Sequence, residues 1–229
     1  MANIYILWFQ GFDAAPDIVK WCVHSWKHYN PTWNIVMLDN DNLHEYVDLI
    51  KLSYDKDIQL CHLADIVRMV LLRDHGGLWV DATAFCHKPL DDWLPAYITS
   101  GFFVFDKYRS DLMITNWFLY AEKGHPLIMQ WCQETLYYYQ VHGKAHTYFV
   151  HHQHFEHLYH TDVIFQKEWD QVPKLSGAIP HTILIPDFFK TNGRKDIDSK
   201  RVPVYKLSYK CEFPPYDPRM NVYYLYSTL

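Results

Sequence analysis

The chain has 229 residues, 49% of them hydrophobic, and a formal net charge of −5 with neutral histidines. A chain of this length can bury a sizeable core without staples, and its composition excludes disulfide miniproteins, collagens and low-complexity chains. The acidic balance lacks the basic stripe that phosphate backbones or anionic lipids require, so we expect no nucleic-acid partner. No apolar run approaches the ~20 residues that span a bilayer.

The compartment is predicted from the start of the chain and from its cysteines. Residues 1–8 carry no basic segment and no cleavage site, and they favour a strand over a signal peptide. The five cysteines are scattered without a CxxC pair, which indicates reduced, mostly buried thiols. We therefore expect a cytoplasmic protein, with at most peripheral contact at the inner face of the cell membrane.

The predicted elements begin with a strand over residues 4–9, a helix over 16–29 and a strand over 33–38. In this helix Ile18, Cys22 and Trp26 recur at helical spacing, and Pro16 suits its first turn. A weaker helix over 43–52 precedes a strongly patterned helix over 59–75. This order predicts a parallel sheet with crossover helices.

A glycine pair, Gly76 and Gly77, is expected to end the helix over 59–75 and to lead into a buried strand over 78–80. A fourth strand follows over 102–105, and helices are predicted over about 111–121, 125–140 and 146–160. Beyond residue 162 the pattern is irregular, with short β-like pieces at 182–185 and 202–207. We predict one α/β domain over 1–229: an open, twisted, mostly parallel sheet flanked by helices, with an irregular C-terminal third.

The residues that point to chemistry surround the glycine pair. Asp65 and Arg68 share one face of the helix, and Asp81 follows the buried strand at its carboxyl end, where ligands bind in open α/β sheets. Carboxylates accept hydrogen bonds from sugar hydroxyls or bind hard cations, and an arginine fork binds phosphate or hydroxyl oxygens. The set suits a nucleoside diphosphate with an attached sugar. An ordinary ion pair beside a strand-end acid is the alternative.

The same stretch carries a resemblance to a known family. Ala64-Asp65-Ile66-Val67-Arg68, Gly76-Gly77 and Asp81-Ala82-Thr83 resemble the helix, turn and DXD strand end of GT-A glycosyltransferases of the family 32 type. Residues 85–93, 8–11 and 206–210 resemble the capsular polysaccharide synthesis proteins in particular. The resemblance covers most of the chain in order and implies a GT-A-like fold.

The resemblance implies retaining transfer of a hexose from a nucleotide sugar, a UDP-sugar being the expected donor. Trp8 would stack on the nucleotide base, and Asp65 and Arg68 would hold the sugar hydroxyls or the ribose. Asp81 would contact ribose, sugar and metal, and Gly77 belongs to the donor-binding set. The acceptor would be a glycan or a lipid-linked oligosaccharide of capsule or O-antigen type.

A divalent cation, Mn²⁺ or Mg²⁺, would be held by Asp81 and Thr83. Thr83 departs from the family pattern, because it stands where a second aspartate usually binds the metal. A hydroxyl is neutral and a weaker ligand than a carboxylate. Metal dependence is therefore open: either a cation binds more weakly, or protein cations share its work.

Lys206, Ser208 and Lys210 are candidates for that work. They alternate along a β-like run and so would point to one face, which suits a β-phosphate. A solvated edge face is the alternative. On the resemblance, residues 1–105 would bind the nucleotide sugar, and 106–229 would supply acceptor-side helices and a phosphate-binding tail.

The acceptor side is assigned to Asn116 and His151. On the helix over 146–160, His151 and His152 are expected to face inward with Tyr148, whereas His154 faces outward. A zinc site in this His-rich segment is a weaker alternative. The other alternative is a catalytically weak or inactive GT-A-like protein that retains nucleotide or sugar binding, favoured by Thr83.

Overall fold

The computed structural model describes residues 2–52, 57–107, 109–181, 190–210 and 212–229. It is a mixed α/β fold with a five-stranded sheet and a separate two-stranded sheet. The strands are Asn3–Leu7 (β1), Asn34–Leu38 (β2), Gly77–Val80 (β3), Ala84–Cys86 (β4), Phe102–Asp106 (β5), Ile114–Ala121 (β6) and Val204–Lys206 (β7).

The described ranges contain seven α-helices; the first four lie within a few residues of predicted helices, and the last three were not predicted. They are Asp17–Tyr29 (α1), Leu60–His75 (α2), Pro126–His142 (α3), Val150–Thr161 (α4), Val163–Gln171 (α5), Arg194–Asp198 (α6) and Asn221–Tyr226 (α7). In the described ranges, none of them is both long enough and apolar enough to cross a membrane.

The large sheet has the strand order β2-β1-β3-β6-β5. β1 is parallel to both β2 and β3, whereas β6 is antiparallel to both β3 and β5. Four strands therefore run in one direction and β6 runs against them, which confirms the mostly parallel sheet. β6 comes from the second half of the chain, so both halves build the sheet.

Helices cover both faces of this sheet. Ile4 and Ile6 of β1 pack in the same core cluster as the apolar face of α1. Tyr5 and Leu7 point to the other side, into a cluster formed with α2 and α3. Successive strand residues alternate between the two faces, so a strand covered on both sides is apolar at nearly every position.

The predicted helix over 111–121 is wrong, because residues 114–121 form strand β6. β6 lies between β3 and β5, and six of its eight residues are buried. A short apolar run that is buried on both faces shows no helical or alternating period that identifies it. Its threonine and aromatic residues favoured a strand.

Three further segments differ from expectation. Residues 43–52 form two short 3-10 turns, Leu43–Glu45 and Leu49–Lys51, instead of a helix. α5 was not predicted; Asp162 begins it by accepting hydrogen bonds from the backbone N–H groups of Ile164 and Phe165. The β-like piece at 182–185 lies outside the described residues.

The glycine pair fixes the entry into β3. Gly76 has φ 68° and Gly77 has φ 109°, a region that residues with a Cβ rarely adopt. A Cβ on Gly77 would lie 2.7 Å from the carbonyl oxygen of Asn3, and one on Gly76 would lie 2.6 Å from the backbone nitrogen of Lys123. The pair therefore lets β3 begin directly after α2, and Asp81 follows the last residue of β3, Val80.

Candidate active-site cleft

A cavity of about 460 Å³ opens at the carboxyl ends of β1 and β3. α2 forms one wall, and the segment that follows β7 forms another. Such a position is the usual ligand site of an open α/β sheet. The cavity brings together most of the predicted site residues, namely Trp8, Asp65, Arg68, Asp81, Thr83, Asn116, Lys206, Ser208 and Lys210.

Arg68 links the helix and the strands at the base of this cleft, and it is 4% exposed. Its Nη2 lies 3.3 Å from Asp65 Oδ1 and 3.4 Å from Asp81 Oδ1. Its Nη1 donates to the backbone carbonyl of Asn116. The planar fork thus joins α2, β3 and β6, which a point charge on a flexible stem would not do.

Asp65 is surrounded by nitrogen atoms of neighbouring side chains. Its Oδ1 accepts a hydrogen bond from Asn116 Nδ2 at 2.9 Å and lies 3.5 Å from His151 Nδ1. Its Oδ2 lies 3.6 Å from His62 Nδ1. Because Arg68 also contacts this carboxylate, Asp65 fixes the positions of the fork and of the Asn116 amide at the cavity wall.

Asp81 lies between two cations. Its Oδ1 accepts a hydrogen bond from Trp79 Nε1 at 3.1 Å and contacts Arg68, and its Oδ2 accepts one from Lys206 Nζ at 3.0 Å. Burial acts to raise the pKa of Asp81, but the charges of Lys206 and Arg68, together with the hydrogen bonds from Lys206 and Trp79, outweigh it and leave the pKa below its ordinary value. The carboxylate is therefore ionised at neutral pH.

Lys206 reaches the cleft because β7 pairs with β4. In this antiparallel pair Lys206 is opposite Ala84, and the Leu207 backbone N–H donates to the Thr83 carbonyl at 2.9 Å. The Lys206 ammonium then donates to Thr83 Oγ1 at 2.7 Å and to Asp81 Oδ2. One ammonium thus bridges the carboxylate and the hydroxyl predicted as metal ligands.

These side chains do not fit a bound divalent cation. Mn²⁺ and Mg²⁺ are held by several oxygen ligands, with carboxylates foremost. Here one carboxylate and one hydroxyl already accept hydrogen bonds from the same ammonium, which would repel a metal between them. Within the described ranges no three His, Cys, Asp or Glu side chains form a group that could hold a metal.

The segment after β7 completes the cleft without being a strand. β7 ends at Lys206, so the predicted alternation of Lys206, Ser208 and Lys210 along one strand is not formed. Both later residues nevertheless line the cavity. Tyr209 meets Trp8 edge to face, with ring centroids 5.1 Å apart. The two aromatic rings thus form one side of the entrance.

The histidines of α4 lie behind and beside Asp65. His151 is fully buried and stacks on Trp131, with ring centroids 4.3 Å apart, and it does not belong to the cavity lining. His152 does line the cavity. His154, predicted to face outward, is 6% exposed because α4 packs between α3 and α5; its Nδ1 lies 3.4 Å from Thr135 Oγ1.

Burial makes these imidazoles hard to protonate. It lowers the pKa of His152 and that of His154 to about 4, and it lowers the pKa of His151 well below the ordinary value. The three rings are therefore neutral at pH 7. They add no positive charge to the cleft, although His151 lies 3.5 Å from Asp65.

Sequence reasoning did not assign His62 to the site, and it expected Tyr148 and His152 to face inward without giving them a role; all three line the cavity. His62 precedes Asp65 by three positions on α2, a spacing that predicts a shared face. Tyr148, expected to face inward with the α4 stripe, is 60% exposed at the cavity edge. Gly77 lies at the far end of β3 from Asp81 and outside the cavity lining, where it serves the turn.

Fold and site together define an α/β protein with a charged ligand cleft at the carboxyl ends of parallel strands. The profile of the family described as capsular polysaccharide synthesis protein matches residues 1–226. The chain belongs to that family.

Curated relatives of the chain are glycosyltransferases by name. It is 26% identical over 203 residues to the O-glycosyltransferase braB of Annulohypoxylon truncatum, covering 80% of this chain and 41% of that protein. It is 27% identical over 136 residues to an uncharacterized glycosyltransferase of Acanthamoeba polyphaga mimivirus, covering 54% of this chain and 51% of that protein. The chain thus spans about half of these relatives or less.

A solved structure with some similarity is the PaToxG glycosyltransferase. It is 16% identical to this chain with a TM-score of 0.48, and the match covers 74% of this chain and 73% of the other.

Proposed function

We propose that the protein is a glycosyltransferase that moves a sugar from a nucleoside-diphosphate sugar to a hydroxyl of a glycan acceptor in polysaccharide synthesis. The observation that carries the proposal is the convergence of Asp65, Arg68, Asp81 and Lys206 on one cavity at the strand ends. Membership of the capsular polysaccharide synthesis family and the names of the relatives support it.

The charge of the cavity suits a diphosphate. Its lining contains three cationic side chains, Arg68, Lys206 and Lys210, and two carboxylates, Asp65 and Asp81, so these groups carry a net charge of +1. In the proposed complex Lys206 and Lys210 donate to phosphate oxygens. Positive charge fixed near a leaving diphosphate stabilises it as the bond to the sugar breaks.

The rest of the donor is recognised by neutral and acidic groups. The indole of Trp8 at the entrance offers an apolar face for a base, and a UDP-sugar is the first donor to test. Oxygens of Asp65 and Asp81 accept hydrogen bonds from ribose or sugar hydroxyls. Asn116 and His152 line the part of the cavity next to α4 and β6, and we assign the acceptor to that side.

We propose transfer with retention of the anomeric configuration. The resemblance to retaining GT-A enzymes is what supports this assignment. Asp65 lies 3.3 Å from Arg68 and Asp81 lies 3.0 Å from Lys206, and we propose that these paired acids position the donor and that neither forms a bond to the sugar. The acceptor hydroxyl would then attack from the side of the leaving group. The acceptor class that we propose is a glycan, free or lipid-linked, of capsule or O-antigen type.

The test is a panel of nucleotide sugars incubated with the protein, with released nucleoside diphosphate as the readout. We expect release from at least one donor, and loss of that release in Asp81→Asn. Proton NMR of the product glycoside then reports the anomeric configuration; inversion would overturn the retaining assignment and leave the transferase assignment intact.

A binding protein without turnover is the second candidate. It is favoured by the internal ion pairs, because Arg68 and Lys206 already neutralise the two carboxylates of the cleft. Tight calorimetric binding of a nucleotide sugar, with no release from any donor and any acceptor glycan tried, would establish this candidate and overturn the first.

A further inference from the structure

The ammonium group of Lys206 lies where a metal ion would be expected in this cleft. Asp81 and Thr83 present a carboxylate and a hydroxyl oxygen toward the same point, and Lys206 Nζ occupies that point, 3.0 Å from the first oxygen and 2.7 Å from the second. A hard cation would seek the same two oxygens. The protein thus supplies a positive charge of its own at this position.

We propose that the Lys206 ammonium is the resident cation of the cleft, so that a nucleoside diphosphate binds, and its sugar is transferred, without a divalent metal ion. The part that concerns transfer rests on the proposed glycosyltransferase function. The part that concerns diphosphate binding stands on the geometry of the cleft alone.

The ammonium is placed to serve a ligand as well as the protein. It carries three N–H donors, and Asp81 and Thr83 take two of them. The Lys206 side chain is 20% exposed and lines the cavity, so the remaining donor can reach a phosphate oxygen there. Hydrogen bonds from an ammonium to a phosphate are among the stronger ones in proteins.

The ammonium is also fixed before a ligand arrives. Its backbone is paired to Ala84 in the β4–β7 sheet, and the next residue donates its N–H to the Thr83 carbonyl. A long lysine side chain ordinarily loses rotamer freedom when it binds. Here that loss is incurred on folding, so the charge is preorganised for the ligand.

The step that this cation would assist is the displacement of the diphosphate at the anomeric carbon of the sugar. The bond between the anomeric carbon and the β-phosphate oxygen breaks, and its electron pair stays on that oxygen. The acceptor oxygen bonds to the anomeric carbon, and its proton passes to the departing diphosphate. Lys206 remains an ammonium throughout and hydrogen-bonds to the diphosphate as negative charge builds up.

The first experiment uses the unmodified protein with UDP as the probe. Calorimetric titrations are run in EDTA, in 1 mM Mn²⁺ and in 1 mM Mg²⁺. We expect affinities that agree within about threefold across the three conditions, a difference below 1 kcal/mol. Binding that is lost in EDTA and restored by Mn²⁺ would overturn the proposal.

The second experiment tests the residue. Lys206→Met keeps an unbranched side chain of similar length without the charge, and we expect UDP affinity to fall about tenfold or more. The matched control is Lys195→Met, which removes one positive charge from an exposed position on α6. Equal affinity of Lys206→Met and the control would overturn the proposal.

A third variant tests whether the point occupied by the Lys206 ammonium is a cation position. In the double variant Thr83→Asp, Lys206→Met, two carboxylates face the vacated point. We expect it to bind Mn²⁺, visible as loss of the free-ion signal in electron paramagnetic resonance, and to bind UDP better with Mn²⁺ than in EDTA. Free-ion signals equal to those of the unmodified protein would contradict the assignment of this point as a cation position.

The two proposals fail separately. Metal-independent UDP binding that depends on Lys206, with no turnover of any nucleotide sugar, would overturn the glycosyltransferase proposal and support the proposal that Lys206 is the resident cation. Sugar transfer that requires Mn²⁺ would overturn the proposal that Lys206 is the resident cation and support the glycosyltransferase proposal. Thermal unfolding of each variant identifies any loss of binding that is only loss of fold.

Discussion

Two layers of polar side chains meet at Asp65, and they differ in charge: one layer is ion-paired, and the other is buried and neutral. The first, the charged floor, consists of Asp65, Arg68, Asp81 and Lys206, which form ion pairs with one another. The second, the histidine layer, consists of His151, His152 and His154 on α4, described above as neutral because burial lowers each pKa. The side chains that face the ligand cavity are therefore charged and paired, whereas the buried histidine rings beside them are neutral.

The contrast shows how a cleft can contain many basic residues and still have a defined charge. If the histidine layer were protonated, it would add positive charge beside Asp65 and compete for that carboxylate with Arg68. Neutral rings instead pack as aromatic groups, as the stack of His151 on Trp131 shows. The cations that act on a ligand are thereby limited to those that face the cavity.

The largest effect is expected from the charged floor itself, in Asp81→Asn. The amide keeps the size of the side chain but no longer balances Lys206 and Arg68 or binds the donor as a carboxylate. We expect turnover of the best donor to fall about a hundred- to a thousandfold. Release of nucleoside diphosphate under saturating donor measures it.

The matched control for that variant is Asp41→Asn, an exposed acid outside the cleft. It removes one negative charge without touching the floor and is expected to retain full turnover. Unchanged turnover in Asp81→Asn would take this residue out of the reaction.

The next effect concerns how the floor is held together, and Arg68→Lys tests it. Lysine keeps the charge but cannot reach Asp65, Asp81 and the Asn116 carbonyl at once. We expect the free energy of unfolding to fall by about 2 kcal/mol, with turnover reduced as well. Urea denaturation of the two proteins gives the value, and coincident curves would show that the fork is dispensable.

The histidine layer is tested by pH. Each ring has a folded-state pKa below the 6.5 of an exposed histidine, at about 4 for His152 and His154. Between about pH 6.5 and 4 the unfolded chain therefore binds more protons, and the free energy of unfolding falls as the pH falls. Above that window this contribution is constant.

The slope can be assigned to a single ring with His154→Gln, which leaves the cavity lining intact. We expect this variant to lose less stability on acidification, by up to about 1.4 kcal/mol per pH unit inside the window. Urea titrations at a series of pH values between 4 and 7.5 measure both proteins. Parallel curves would mean that His154 is protonated as readily in the folded state as in the unfolded one.

The smallest effect is expected at the entrance, outside both layers. Trp8→Ala removes the ring that we assign to the base, and stacking of this kind contributes about 1–3 kcal/mol. We expect UDP affinity to fall about tenfold, with most of it retained in Trp8→Phe. Equal losses in both variants would contradict stacking and favour a packing role against Tyr209.

Most of the first half of the fold could be predicted from the sequence, because its elements carry local signals. α1 has Pro16 before its first turn, and α2 ends at a glycine pair that must adopt positive φ. β6 could not be predicted in the same way, since a strand covered on both faces lacks a period. α5 is short, and its one signal is the Asp162 cap.

The residues of the cleft likewise divide into those that local sequence patterns reveal and those that depend on contacts between distant positions. Asp65, Arg68 and Asp81 were found because a helix face and a strand end are local properties. The partnership of Lys206 with Asp81 spans 125 positions and that with Thr83 spans 123, so spacing could not reveal either of them. The resemblance drew attention to residues 206–210, and the structure added which atoms they meet.

The pairing of β4 with β7 also sets the order in which this cleft is assembled during synthesis. A nascent chain that has passed residue 121 already contains every strand of the large sheet, yet it lacks the segment that delivers Lys206. Contacts between such distant positions form late, because closing a long loop is slow. Until the ribosome has released β7, Asp81 has Arg68 beside it but lacks Lys206, and the diphosphate binding that we assign to Lys206 becomes possible only as folding concludes.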